Sequence, residues 1–218
     1  MISKQMNSQN FLKYSNIFID CDGVIIDSNS IKEDNISKVL KKYLSEDIFN
    51  DCFLYFNSNP GMPREKKLSR FIFSENLLNC ILDEYNKLNL ESLKNSKLVD
   101  GVIDFLKAMR SENKKIFMVS GGLREELVEI FSYKQLNSYF DAILGGPYTK
   151  EENIRSIIHH GESIYFGDSQ IDLETAILFR MDFIFVSGYT KYDLNNTQQE
   201  LDFKTIKNFK DINLIHHD

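Results

Sequence analysis

Cysteine is scarce in this chain, with only Cys21, Cys52 and Cys80 among 218 residues. The three are odd in number, widely spaced and form no CxxC pair, which argues against a disulfide framework and against a thiolate zinc site. A reducing cytoplasm is the expected setting. A long apolar run is also lacking: the opening MISKQMNSQNFLKYSN contains none, and no window approaches the roughly 18 apolar residues of a membrane span. A soluble, unexported protein with no membrane partner is therefore expected. Nor is there an excess of positive charge. The 26 basic and 32 acidic residues give a net charge of −6, which disfavours broad contact with nucleic acid or with an anionic membrane surface. A small, locally captured ligand fits better. Internal repeats and low-complexity segments are absent, and 42% hydrophobic content in a chain of this length can bury one core, or a main domain with a smaller insert.

Five short apolar runs stand out: Ile17 to Cys21, Lys115 to Val119, Ala142 to Leu144, Ser163 to Phe166, and Asp182 to Val186. Each ends near a Gly or Ser, as a buried strand running into a turn does. Helical patterns lie between the runs, over Val102 to Arg110, Leu123 to Phe131, Glu151 to His159 and Leu173 to Phe179. This alternation predicts an α/β fold with a Rossmann-like, doubly wound parallel sheet. The stretch from about Ser30 to Leu98 breaks the alternation with successive amphipathic segments, at Ile31–Leu44, Asp47–Phe56, Arg64–Phe73 and Glu75–Leu88, around the turn Asn57-Ser58-Asn59-Pro60-Gly61. It reads as an all-helical insert. Residues 1–28 and 99–218 are thus expected to form the core domain and 29–98 a helical cap.

In such sheets ligands bind beyond the carboxyl ends of the strands, so the polar residues at those ends carry the functional reading. Asp20 and Asp22 close the first run, and residues two apart on an extended chain point the same way. Two carboxylates in one small volume call for a cation or a proton, and a hard divalent metal with oxygen ligands is the simplest answer. A solvated loop or a helix cap is the alternative. Ser120-Gly121-Gly122 follows the second run and precedes a helix, where backbone amides, close approach at Gly and a hydroxyl make an anion cradle, although Ser also serves as an ordinary cap. Lys150 follows the third run; alone it reads as surface charge. Gly167-Asp168-Ser169-Gln170-Ile171-Asp172 follows the fourth, placing Asp168 in a turn and Asp172 on the first helical turn, near enough to share a metal or its waters unless both merely cap. Together they supply a nucleophilic carboxylate, a second carboxylate, a hydroxyl, an ammonium and a metal pair, the parts needed for phosphoryl transfer.

The order DxDGV…DS, then hydrophobic-Ser-Gly, then Lys, then GDSxxD, running from Ile17 to about Val186, resembles the haloacid dehalogenase superfamily. The resemblance implies Asp20 as nucleophile, Asp22 as general acid and then base, Ser120 as phosphate ligand with Gly121 and Gly122 beside it, and Lys150 as charge stabiliser. It implies magnesium held by Asp20, Asp168 and the backbone carbonyl of Asp22, with Asp172 supporting the metal or its waters. Dehalogenases of the superfamily lack the second Asp, so Asp22 resembles the phosphatase and phosphotransferase branch, and the helical insert is similar to the cap of phosphoglycolate-phosphatase-like members. One departure is that many relatives follow the motif Lys with Pro, whereas Glu151-Glu152 follow Lys150 here. The implied activity is magnesium-dependent hydrolysis of a small phosphate monoester through an aspartyl-phosphate. The substrate is expected to be a small phosphorylated metabolite: a sugar, polyol or hydroxy-acid phosphate, with surface-carbohydrate metabolism as one setting. A phosphomutase of the same fold and a non-catalytic phosphometabolite-binding module are the alternatives. A monomer or small homo-oligomer is expected.

Within the insert, NPGMPREKK places Gly61, Arg64 and Lys67 at a turn entering a helix. They resemble a specificity loop lowered onto the active site, with the Arg64 guanidinium suited to clamp the remote end of a substrate and Lys67 beside it; a solvated basic helix start is the alternative. Asp27 and Ser28 stand where core gives way to insert, as a hinge or a cap. His159-His160 and His216-His217 lack metal-ligand spacing and are expected at the surface.

Overall fold

The computed structural model describes residues 6–59, 62–157, 160–194 and 201–214. Pro60, Gly61, His159, His216 and His217 lie outside them, and His160, inside them, is exposed. A short strand β1 (Met6–Asn7) leads into the central strand β2 (Tyr14–Ile19) of a six-stranded sheet. The other strands of that sheet are β3 (Lys115–Leu123), β4 (Ala142–Gly146), β5 (Glu162–Gly167), β6 (Asp182–Val186) and β7 (Lys204–Ile206). They lie in the order β4-β3-β2-β5-β6-β7, every neighbouring pair parallel. This is the doubly wound α/β arrangement expected from the alternating runs. A final strand β8 (Ile212–Asn213) pairs with β1 in a separate two-stranded ribbon.

Successive side chains on a strand face opposite ways, and the strand runs are apolar at both parities because helices cover both faces. Ile17, Ile19, Ile116, Met118, Ile164 and Phe166 belong to one buried cluster, beneath α5 (Val102–Ser111) and α6 (Arg124–Tyr133). Phe18, Phe117, Val119, Tyr165 and Phe183 belong to the other, beneath α7 (Lys150–Arg155) and α8 (Gln170–Leu178). Phe105 of α5 anchors the first cluster; its ring centroid lies 5.5 Å from that of Phe11, 5.0 Å from Phe166 and 4.9 Å from Phe209.

Between β2 and α5 the described residues make four helices, α1 (Asn29–Tyr43), α2 (Glu46–Ser58), α3 (Arg64–Leu68) and α4 (Glu75–Lys94). They bury a third cluster, which includes Ile36, Leu40, Phe56, Leu68, Ile81 and Tyr85. Entry and exit run side by side: Asp27 N–H donates to Lys97 O at 3.0 Å and Val99 N–H to Ile25 O at 3.0 Å. Among the described residues, no helix is long and apolar enough to cross a membrane.

Several boundaries differ from the sequence expectation. The expected helix over 64–73 stops at Leu68, where Phe71 and Ile72 both donate to Leu68 O and the turn closes before Ser74, whose hydroxyl caps α4 at Leu77. That leaves Phe73 91% exposed. The strand Lys115–Val119 continues through Ser120-Gly121-Gly122 to Leu123, so α6 begins at Arg124. The expected helix 151–159 is α7, which ends at Arg155, and α4 runs six residues beyond Leu88. β1, β7 and β8 are two or three residues long, too short to leave a periodic signal.

Replacing Phe105 by Ala removes a fully buried ring and is expected to lower the unfolding free energy by about 3–5 kcal/mol in urea denaturation. A loss below about 1 kcal/mol would show that the rings of Phe11, Phe166 and Phe209 do not depend on it.

Candidate active site

The register of the two central strands sets the site. Ile19 lies opposite Phe166, and Asp20 N–H continues the ladder by donating to Phe166 O at 2.9 Å. Asp20 and Asp168 therefore leave β2 and β5 at the same level, side by side. Gly167 permits the close approach behind them, since a Cβ there would sit 2.2 Å from Asp172 Cβ. Gly23 does the same in front: its φ is +72°, and a Cβ would lie 2.3 Å from Asp168 Oδ2.

Lys150, at the first position of α7, is 2% exposed and ties the group together. Its Nζ donates to Asp20 Oδ1 at 2.7 Å and to Asp172 Oδ1 at 2.5 Å. The residues after it do not disturb this pose, because Glu152 points back to close a capping box with Thr149. Asp172 Oδ2 accepts from Ser169 Oγ at 2.6 Å and from Asp168 N–H at 3.2 Å, so both of its oxygens are engaged by neighbours. Carboxylate oxygens of Asp20, Asp168 and Asp172 all lie within 4.8 Å of one another. Burial, only partly offset by Lys150 and reinforced by the charges of Asp172 and Asp22, pushes Asp20 up to about 7. Burial and the neighbouring Asp20 and Asp172 raise Asp168 well above the ordinary carboxylate range. Lys150 is itself raised, since the pull of Asp172 and Asp20 overrides the penalty of burial.

Asp22 is held apart from this group by the start of the helical insert. Its Oδ1 accepts from Ser28 Oγ at 2.5 Å and its Oδ2 from Lys32 Nζ at 2.5 Å. Burial disfavours its charge, but Lys32 and Ser28 outweigh that and hold the carboxyl below its usual range. Ser28, read from sequence as a hinge or cap, begins α1 without a side-chain cap bond and binds Asp22 instead. Ser120 is fully buried and accepts from Gly122 N–H at 3.1 Å. Gly121 and Gly122 line the cavity above Asp20, Asp22 and Asp168, a space of about 190 Å³ roofed by α1, α2 and α3, while Ser120, Lys150 and Asp172 stand behind that lining.

Arg64 lines the same cavity and is tied to the core by its own partners. Its Nη1 donates to Glu126 Oε2 at 2.7 Å and to Asn86 Oδ1 at 2.5 Å, and its guanidinium lies over the Tyr85 ring. Arg64 and Glu126 side chains are 7% and 6% exposed, so this is a buried ion pair joining α3 to α6 at the edge of the cavity that Arg64 lines. Lys67 lines the same cavity, donates to Phe56 O at 3.1 Å and lies 3.9 Å over the Phe56 ring.

Sequence reasoning passed over Lys32, Asn29 and Glu126. Asn29 Nδ2 donates both to Asp168 Oδ2 at 2.7 Å and to Tyr189 O at 2.9 Å. The signal for Lys32 is its place four residues after Ser28, on the face of α1 that meets Asp22. Glu126 leaves no local signal, because its partner is 62 residues away.

This arrangement places a buried cluster of acids and one ammonium at the carboxyl ends of the middle strands of a parallel α/β sheet, under a helical roof. The family model for haloacid dehalogenase-like hydrolases matches residues 17–186, and the chain belongs to that family. Among solved structures, the fold is similar to that of a "predicted phosphatase" from Clostridium acetobutylicum, with 21% identity, a TM-score of 0.68, and 88% of this chain and 93% of that one covered. It is also similar to a "putative phosphatase" from Clostridium difficile, with 17% identity, a TM-score of 0.66 and coverage of 91% and 98%. A third is the HAD-hydrolase YfnB from Bacillus subtilis, whose structure holds magnesium, with 15% identity, a TM-score of 0.64 and coverage of 91% and 96%. No curated protein matches the sequence.

Truncating Glu126 to Ala strands the Arg64 charge in the interior and is expected to lower stability by about 3–5 kcal/mol. Combining Glu126→Leu with Arg64→Met should recover most of that loss, read as the thermal unfolding midpoint. A Glu126→Ala protein as stable as the parent would show that the pair opens to water in solution.

Proposed function

We propose that the chain is a magnesium-dependent phosphatase that hydrolyses a small phosphate monoester through an aspartyl-phosphate on Asp20. The observation that carries this reading is the Lys150 ammonium shared by Asp20 and Asp172, with Asp168 alongside. One positive charge faces three buried carboxylates, and the raised positions of Asp20 and Asp168 express that imbalance. A hard divalent cation suits it, since all the donors are oxygens. Asp20 and Asp168, with the backbone carbonyl of Asp22, would hold the ion. Asp172, its oxygens already taken by Lys150, Ser169 and the Asp168 amide, acts as a positioning residue. Bound there, magnesium would neutralise charge on the phosphoryl oxygens.

The Asp20 carboxylate attacks phosphorus in line, forming the Asp20–phosphorus bond as the ester bond to the alcohol breaks. Lys150 steadies Asp20 and balances charge on the transferring group, the Gly121 amide receives one of its oxygens, and the Ser120 hydroxyl, oriented by the Gly122 N–H it accepts from, would donate to another from behind the lining. Asp22 gives its proton to the leaving oxygen, then takes one from the water that hydrolyses the aspartyl-phosphate. Carrying that proton requires Asp22 to release Lys32. An arriving anion offers Lys32 another partner, so substrate entry and readiness of the acid are linked. The helices of residues 29–98 act as a cap on the core formed by 1–28 and 99–218, excluding bulk water during the first step. The three unpaired cysteines fit a reducing cytoplasm.

The deciding experiment measures phosphate release from p-nitrophenyl phosphate. Asp20→Asn, nearly isosteric, should fall to assay background and fail to trap labelled phosphate after acid quench, whereas activity near the parent level would exclude the covalent route. Asp22→Asn is expected to lose about 10²–10⁴ in rate, less with this good leaving group than with an alkyl phosphate. Chelation should abolish turnover, magnesium should restore it, and Asp168→Ala should raise the magnesium concentration required. Full turnover in metal-free buffer would remove magnesium from the reading.

A further inference from the structure

Every cation that lines the cavity, except one, faces a carboxylate. Arg64 pairs with Glu126, Lys32 with Asp22, and Lys191 with Glu33. Lys67 lines the same cavity and is 7% exposed, yet it has no carboxylate within ion-pair distance among the described residues. Among the described residues its ammonium meets only the Phe56 carbonyl and the Phe56 ring, which leaves donor capacity unused.

An ammonium is costly to bury without a counter-ion, and its surroundings compound the cost. Burial, with repulsion from Lys32 and Arg64 and only a small opposing pull from Asp22, pushes Lys67 down to about 7. The two ends of the cavity thus have opposite imbalances: carboxylates outnumber the ammonium on the sheet side, and cations outnumber carboxylates on the helical side. The first suits a metal and a phosphoryl group. The second has no occupant supplied by the described residues.

We propose that this helical side is a second anion subsite, in which Lys67, with Lys32 beside it, holds an anionic group at the end of the substrate remote from the ester. The substrate class is then a small phosphate monoester with a carboxylate or a second phosphate as its tail. This rests on the phosphatase reading for what occupies the sheet side, but not for the subsite itself. Phe56 and Tyr85 line the same cavity, and its volume of about 190 Å³ suits a small connecting part.

The test is calorimetry on the full chain in the presence of magnesium, with non-hydrolysable probes. 3-Phosphonopropanoate and propane-1,3-bisphosphonate carry an anionic tail; propylphosphonate does not. The parent protein should bind at least one tailed probe tenfold or more tightly than propylphosphonate, and the stronger of the two identifies the tail as carboxylate or phosphate. Lys67→Met should reduce that preference to within twofold, Lys67→Arg should keep part of it, and Lys66→Met, an exposed neighbour on the same helix, should leave it intact. Equal binding of tailed and untailed probes by the parent overturns the proposal without recourse to any variant. So does a preference that survives in folded Lys67→Met, which would leave Lys67 as a neutral amine filling the roof. The two readings fail separately. Hydrolysis of p-nitrophenyl phosphate without tail preference keeps the phosphatase and removes the subsite, while tail preference without hydrolysis of any ester does the reverse.

Discussion

The structure turns on one crowded volume in which an ammonium, Lys150 Nζ, stands between Asp20 and Asp172 with Asp168 at their side. Like charges at such separations repel strongly in a buried site, and only a rigid frame keeps them there. The frame is the parallel register of β2 and β5, the capping box that aims α7, and two glycines that let backbone pass where a side chain would collide. Each is a local device, but their common result is to keep carboxylates facing one another instead of turning towards water. Stability and chemistry thus oppose each other at this point.

Much of this was legible in the chain. The five apolar runs became five strands, in parallel and with helices between the later ones, because fully buried strands carry side chains of one character on both faces. Asp20, Asp168 and Lys150 were legible as polar residues placed where such runs stop. That Lys150 reaches Asp20 across 130 residues was not in the local pattern; only the resemblance to a family pointed to it. Arg64 shows where local reading ends. Its sequence neighbourhood describes a basic helix start, but its partner Glu126 comes from a helix on the far side of β3 in the chain, and no spacing rule links them. The same holds for Lys67, whose lack of a counter-ion appears only once every other cation has been matched. The short strands β1, β7 and β8 are defined by their partners, not by their own periodicity.

The helical insert does more than cover the cavity. Its first turn supplies Ser28, Asn29 and Lys32, which between them contact Asp22 and Asp168. Two of the acids at the sheet ends are thereby held by residues that belong, in chain order, to the roof. A displacement of α1 would alter the surroundings of both acids at once, so the position of the roof and the ionisation of the site are parts of a single equilibrium.

The chain enters and leaves the helical insert through two adjacent segments hydrogen-bonded to each other, Ile25 to Val99 and Asp27 to Lys97. An insertion whose ends already touch asks nothing of the scaffold on either side, whatever its length, and closing a longer loop costs only logarithmically more. Helices of another size or sequence could take its place without moving the β2–β3 register by a residue. For a lineage of such proteins, that separates two histories: the sheet and its acids can stay as they are while the choice of what they act upon is rewritten between residues 27 and 97.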